Sequence, residues 1–423
     1  MFSVIIFSLL TTFRGNATIK LQERKIQEAI AMNISKRLFA CITVVFMIIA
    51  FSFAVSASED KGYIVVTDTV DANSGIDVSD AIQKLIDENP NRTIYFPDGE
   101  YLLSKPIYTP ADPTKSVSLE LSDFAVLKAT ENWQSGEAIV QLGGKDPAND
   151  TATNGSNYSL EGGIIDGSSV ANGVSINSGR ETAVRNVSIK NTVVGLHIMN
   201  GANSGSSDAD IYGVNIIGTG KTDSVGILIE GYDNTITNVR IGYVFTGVHL
   251  KAAGNMLRNV HPLYYSDYTD YQNSCAFLDE SGNNWYDYCY GDQFATAFRT
   301  TDWGQNFYND CYCFWYSPQG DVHTAFRADK QFNATITNFK AGFGDDCENV
   351  VLTVGEKGGS GTIDHIVVQN STKDNTYKTY VENEASVTLV VTLFAVLMAV
   401  IAVITVMIFV YIKKKIKATM ENS

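Results

Sequence analysis

Cysteine and basic residues are scarce in this 423-residue chain, and each scarcity removes a class of function. There are six cysteines. Cys41 lies in an N-terminal apolar run, which leaves Cys275, Cys289, Cys311, Cys313 and Cys347, an odd number that one chain cannot fully pair. Their spacing matches no zinc site, and they are too few for a disulfide-held mini-scaffold. Between residues 58 and 384 there are 21 lysines and arginines against 43 aspartates and glutamates, a net charge of about −22 with histidine neutral. The clustered Lys and Arg of a nucleic-acid surface are missing, which excludes that partner. A body this acidic stays soluble, and it repels a polyanion unless local cations or Ca²⁺ intervene. Helical periodicity is scarce as well. Inside the body it appears only over Asp77–Asn89, where Val78, Ile82, Leu85 and Ile86 share a face and Asn89-Pro90 ends the helix.

The long apolar runs lie at the two ends. Leu38–Val55 follows Lys36 and Arg37 and closes on Val55-Ser56-Ala57, the pattern of a secretory signal peptide over 32–57. Met32 stands where such a signal begins, so residues 1–31 read as an over-long start. The alternative is a signal anchor that stays in the bilayer. Ala385–Ile412 is uncharged and long enough to cross a hydrocarbon core of about 30 Å. Lys413, Lys414, Lys415 and Lys417 follow at once. The positive-inside rule places residues 413–423 in the cytoplasm and the body, 58–384, outside.

What the body does have is a repeat. The phrase apolar-x-(Asn or polar)-apolar starts at Val184, Ile211, Ile236, Leu257, Tyr286, Tyr308, Ile336 and Ile363, at intervals of 21 to 29 residues. A second phrase keeps phase with it: Gly173-Val-Ser-Ile, Gly195-Leu-His-Ile, Gly226-Ile-Leu-Ile and Gly247-Val-His-Leu, drifting to Cys275-Ala-Phe-Leu, Thr296-Ala-Phe-Arg and Thr324-Ala-Phe-Arg. A short strand cannot bury its apolar face alone, but stacked coils bury a continuous core. The expected fold is all-β, a right-handed parallel β-helix capped by the short helix and followed by a transmembrane helix. A β-sandwich fits variable coil lengths less well. Asn186, Asn238, Asn259 and Asn338 are expected to stack at a bend, where Asn tolerates unusual backbone angles.

Asp80-Ala81-Ile82-Gln83 is followed by Thr93-Ile94-Tyr95-Phe96-Pro97-Asp98-Gly99-Glu100-Tyr101 and then by Pro106-Ile107. With the later Gly163-Ile164-Ile165-Asp166-Gly167, these segments resemble the pectate-lyase superfamily, in its rhamnogalacturonase/pectate-lyase-like branch also found in phage tailspikes. The resemblance covers nearly all of residues 63–370. It implies a β-helix that presents a long groove to a polysaccharide. Gly344-Asp345-Asp346-Cys347 looks like the Asp-Asp motif of the polygalacturonase-like branch. The rest of that set is absent: no Asn-Thr-Asp precedes it, Gly358-Gly359-Ser360-Gly361 stands where Gly-His-Gly is expected, and no Arg-x-Lys follows.

Three coils lengthen at one phase: Pro262–Ser274, Phe314–His323 and Ala341–Asn349. Loops sharing one edge of a solenoid are the expected place for function. They carry Tyr264, Tyr265, Tyr268, Tyr271, Trp315 and Tyr316, aromatic side chains of the kind that stack on sugars. They also carry Asp267, Asp270, Asp321, His323, Asp345 and Asp346. Glycan hydrolysis needs a carboxyl pair, and a lyase needs a base with a cation beside a uronate. Asp345, Asp346, Asp321 and His323 are the catalytic candidates, and the same carboxylates could hold Ca²⁺. The bland alternative is that these loops only pack on one another.

Other features read as structural. Cys289 and Cys311 are expected inward on neighbouring coils, as stacked thiols or a cross-coil disulfide. His249, Phe277, Phe298 and Phe326 are expected in one outward row. Arg299 and Arg327 stack, and need an acid such as Asp302 or Asp329 between them or a uronate from a ligand. The functional expectation is a surface-anchored polysaccharide lyase or hydrolase. The alternative is a non-catalytic glycan-binding or adhesive protein on the same scaffold.

Overall fold

The computed structural model describes residues 24, 32, 34, 36–44, 62–134, 136–145, 158–200, 206–264, 270–316, 322–343, 348–370 and 384–420. Residues 36–44 are helical, whereas the exit of the expected signal, Val55-Ser56-Ala57, lies outside the described residues.

From Tyr63 to Asn370 the chain is a right-handed parallel β-helix. Among the described residues the strand pairings between neighbouring coils are parallel, for example Val184 with Ile211 and Ile211 with Ile236. A 19-stranded sheet supplies two faces of each coil and a 10-stranded sheet the third. The first and second faces meet at the repeated phrase. In the strand Thr235–Gly242, Asn238 has φ 57° and turns the chain between them. Asn186, Asn259 and Asn338 do the same, at φ 56°, 52° and 56°. Asn259 Nδ2 donates to Asn238 Oδ1 at 2.7 Å, so the bend is tied from coil to coil. On the intervening coil Gly213 takes the position, with φ 68°, where Gly and Asn carry the least penalty.

The glycine phrase has a different cause. A β-carbon built on Gly173, Gly195, Gly226 or Gly247 would meet a carbonyl oxygen of the next coil at 2.4–2.6 Å. The third-face strand therefore starts with its backbone pressed against its neighbour. Alanine takes over at Ala276, Ala297 and Ala325, all fully buried.

The core is a set of ladders along the axis. Phe277, Phe298 and Phe326 stack at 4.8 and 5.1 Å, nearly parallel, with Tyr286 and Tyr308 stacked beside them at 4.6 Å. These phenylalanines are interior, which corrects the expected outward row. Phe277 registers with Val248, and His249 registers with Leu278. A one-residue slip in a strand alignment exchanges the two faces. Cys289 and Cys311 share an inward position on successive coils, and both are free thiols.

A second asparagine ladder runs inside, at the turn between the third face and the first. Asn234, Asn255, Asn284 and Asn306 are buried. The backbone N–H of each of the first three donates to the side-chain oxygen of the next, at 2.9–3.0 Å. Asp279 lies beside this ladder and is 1% exposed. Its carboxylate accepts from Tyr286 Oη, Asn284 Nδ2 and Asn306 Nδ2 at 2.7–3.0 Å, and from the N–H groups of Ser281 and Gly282. These bonds make burial of so polar a group tolerable.

The helix Ser79–Glu88 lies at the start of the solenoid, with Ile82 and Ile86 in the core. At the other end, Glu384–Met420 is a single helix. Its segment Phe394–Lys415 is long and apolar enough to cross a membrane.

Candidate functional site

On the third face, outward side chains alternate with core side chains. One outward row reads Ser175, His197, Leu228, His249, Leu278, Arg299 and Arg327 on successive coils. Two residues further along, on four of these coils, come Glu230, Lys251, Glu280 and Asp329. A basic group on one coil meets an acid on the next. His197 Nε2 and Glu230 Oε2 are 2.9 Å apart, and Lys251 Nζ donates to Glu230 Oε1 at 3.0 Å. His249 Nε2 lies 3.0 Å from Glu280 Oε1, without the geometry of a hydrogen bond. Asp329 takes both arginines: Arg299 donates to Oδ2 through two N–H groups at 3.0 and 2.7 Å, and Arg327 Nε donates to Oδ1 at 2.7 Å. The acid required between the stacked arginines is therefore Asp329, while Asp302 receives Lys330 at 2.7 Å.

The electrostatics follow from this packing. Burial holds the His197 imidazole below its ordinary pKa, only partly opposed by Glu230. Burial would raise Glu230, but the bonds from His197 and Lys251 outweigh it and hold the carboxyl low. Asp329 is held low in the same way, by Arg299 and Arg327 against burial. Glu230 and Glu280 are two coils apart, roughly 10 Å by strand spacing. This face thus presents a line of fixed donors and acceptors, with ionised carboxylates at Glu230 and Asp329.

The expected loop edge comes out differently. Tyr264, Tyr271, Trp315 and His323 are core residues, none more than 4% exposed. Trp315 is stacked between His323 and Phe343 at 5.2 and 5.0 Å, and its Nε1 donates to the Phe294 carbonyl. Tyr271 Oη donates to the Gln293 carbonyl. They cannot be an open sugar platform. The strand alternation continues through Cys313 and Trp315, which sends both rings and thiol inward. Tyr316 is exposed. Tyr265, Tyr268, Asp267, Asp321, Asp345 and Asp346 lie outside the described residues. Asp270 accepts from Asn273 Nδ2 at 2.7 Å. Among the described residues no group of three or more His, Cys, Asp or Glu is placed to hold a metal ion.

Outward aromatic residues occur instead on the other two faces. Trp285 and Phe307 are stacked and half exposed on the first face. On the second face His261, Tyr290 and Tyr312 stack on successive coils. None of these was singled out from sequence. The signal was available, because Arg240, His261, Tyr290, Tyr312 and Lys340 each stand four residues after the start of the repeated phrase. On the third face the misaligned phrase hid the row that joins His249 to Arg299.

The fold and this face define a class: a right-handed parallel β-helix with a cation–carboxylate ladder along one side. No family model matches the sequence, and no curated protein matches it. Solved structures do. A Geobacillus virus E2 protein, ORF18, is 14% identical with a TM-score of 0.50, over 73% of this chain and 62% of that one. A tailspike protein mutant of E. coli bacteriophage HK620, in complex with pentasaccharide, is 10% identical with a TM-score of 0.57, over 75% and 64%. This chain spans less than two thirds of the length of either. What it shares with them is the β-helix.

Proposed function

We propose that this chain is a polysaccharide-binding β-helix protein, held to a membrane by its C-terminal helix, with the third face as its sugar-contacting surface. The observation that carries the reading is the half-buried ladder from His197 to Arg327. Its planar donors and ionised acceptors are held in fixed positions by one another, as recognition of a hydroxyl-rich polymer requires. A pentasaccharide is bound by the HK620 tailspike mutant, which has the same fold. By the positive-inside rule, Lys413, Lys414 and Lys415 at the end of the apolar helix support a cytoplasmic tail and a β-helix outside.

A second reading is hydrolysis. It is favoured by the two-coil separation of Glu230 and Glu280, close to the roughly 6.5–9.5 Å carboxyl spacing of inverting glycosidases. Glu230, held ionised, is then the base. The full chain in detergent micelles, applied to immobilised plant and microbial polysaccharides, tests both readings. Retention that is lost in Arg299→Ala supports binding on this face. New reducing ends that disappear in Glu230→Gln move the conclusion to a hydrolase, and ultraviolet-absorbing unsaturated ends move it to a lyase. No retention and no product across the panel overturns the reading.

A further inference from the structure

The second face carries a constellation that the third-face ladder does not use. Arg240, His261, Tyr290, Tyr312 and Lys340 hold one outward position on five successive coils. His261 and Tyr290 stack at 4.1 Å, Tyr290 and Tyr312 at 4.6 Å, and Lys340 Nζ lies 5.3 Å over the Tyr312 ring. Neighbouring rings cover one another's faces, so this row offers edges and polar atoms rather than a stacking platform.

Asp292 lies two residues beyond Tyr290 on the same side and is 9% exposed. Its carboxylate interacts with the Tyr290 hydroxyl, and its Oδ2 is 3.5 Å from His261 Nε2. Its Oδ1 has no hydrogen-bond partner, and neither has His261 Nε2. A buried polar atom left unpaired costs about 1–3 kcal/mol, and more when it is charged. Two such atoms side by side form a site that a group from outside the protein would complete. The cations at the ends of the row are also unspent. Among the described residues Arg240 donates only to the Val239 and Asn259 carbonyls, both at 3.4 Å. Neither Arg240 nor Lys340 has a carboxylate partner among the described residues. Most other basic side chains of the body are in ion pairs, such as Lys128 with Glu100 and Arg185 with Asp210.

We propose that the second face is a separate oligosaccharide site. A sugar hydroxyl donates to Asp292 Oδ1, a second hydroxyl meets His261 Nε2, and the chain runs along the solenoid axis. Acidic groups on that chain meet Arg240 and Lys340, four coils or about 19 Å apart. The site is independent of the third face, so either can be right without the other.

The histidines allow both to be read in one experiment. There are five in the chain. His197 and His249 report on the third face, His261 on the second, and buried His323 and exposed His365 are controls. The full chain in detergent micelles, labelled with ¹³C at histidine Cε1, is titrated with oligogalacturonate and with neutral xylo-oligosaccharide. The His261 resonance should move and saturate, at lower concentration for the acidic oligomer. Lys340→Gln should weaken the acidic oligomer at least threefold, and Asp292→Asn should abolish the His261 response while His197 and His249 respond as before. Unchanged melting of Lys340→Gln shows that its effect is not unfolding. A His261 resonance that stays still with both oligomers, or that moves equally in both variants, overturns the site. Movement of His197 and His249 alone overturns it and leaves the third-face reading standing.

Discussion

Arg299 donates through Nε and Nη2 to a single oxygen of Asp329, at 3.0 and 2.7 Å. The other oxygen takes Arg327, which is in register with Arg299 one coil along. Two guanidinium groups about 4.8 Å apart repel, and one shared carboxylate turns that repulsion into a clamp between coils.

Asp329→Asn should therefore destabilise the protein by about 1–2 kcal/mol, between the values for exposed and buried pairs. The side chains of Arg299 and Asp329 are 27% and 22% exposed. Urea unfolding of the full chain in micelles measures the loss. Adding Arg327→Gln should recover part of it, because one of the two opposed cations is then gone. Equal stability of Asp329→Asn and wild type would show that the clamp contributes nothing.

Acid sensitivity should have two sources of known sign. Asp77 accepts from the backbone N–H groups of Ser79 and Ser104 and from Ser104 Oγ, at 3.0, 3.1 and 2.6 Å. Burial would raise its pKa, but the bonds from Ser104 and Ser79 outweigh it and hold the carboxyl at about 2, against an ordinary 3.8. A depressed acid stabilises the fold above its unfolded value and loses that contribution as pH falls from 3.8 toward 2. Asp77→Asn should flatten the stability profile in that window. His197 is depressed by burial below 6.5, so the unfolded chain binds its proton more readily. Stability should drop as pH falls through 6.5, and His197→Gln should remove that part of the slope.

Cys275, Cys289, Cys311 and Cys313 should be inert in the folded protein. Burial pushes Cys275 up to about 12 and lifts Cys311 and Cys313 well above the usual thiol range. Cys289 is fully buried beside Cys311. A thiol reagent at pH 8 should leave these four untouched until the protein is denatured, since the thiolate is the reactive form. Rapid native labelling of Cys311 would mean that the interior stack is open.

The asparagine bend was legible because it repeats with the phrase and has one local cause, a left-handed backbone angle at Asn186, Asn238, Asn259 and Asn338. The interior ladder of Asn234, Asn255, Asn284 and Asn306 repeats in the same phase. It was passed over because a buried Asn is indistinguishable from a loop Asn until its partners are known. The Phe277 row was placed on the wrong face for a different reason. The strand begins with two consecutive inward positions, such as Gly173 and Val174, which breaks strict alternation and hides the register.

The sequence by itself determined the coil, the short capping helix and the membrane-length apolar helix, because each is written as a local period or an unbroken apolar run. It also determined that Arg299 and Arg327 need an acid between them. Only the tertiary structure decided which side chains face outward. Trp315, Tyr264, Tyr271 and His323 went into the core, while His261, Tyr290 and Asp292 came together on the second face. Facing in a β-helix is fixed by the register between coils, and that register depends on pairings across 21 to 41 residues that no local pattern encodes.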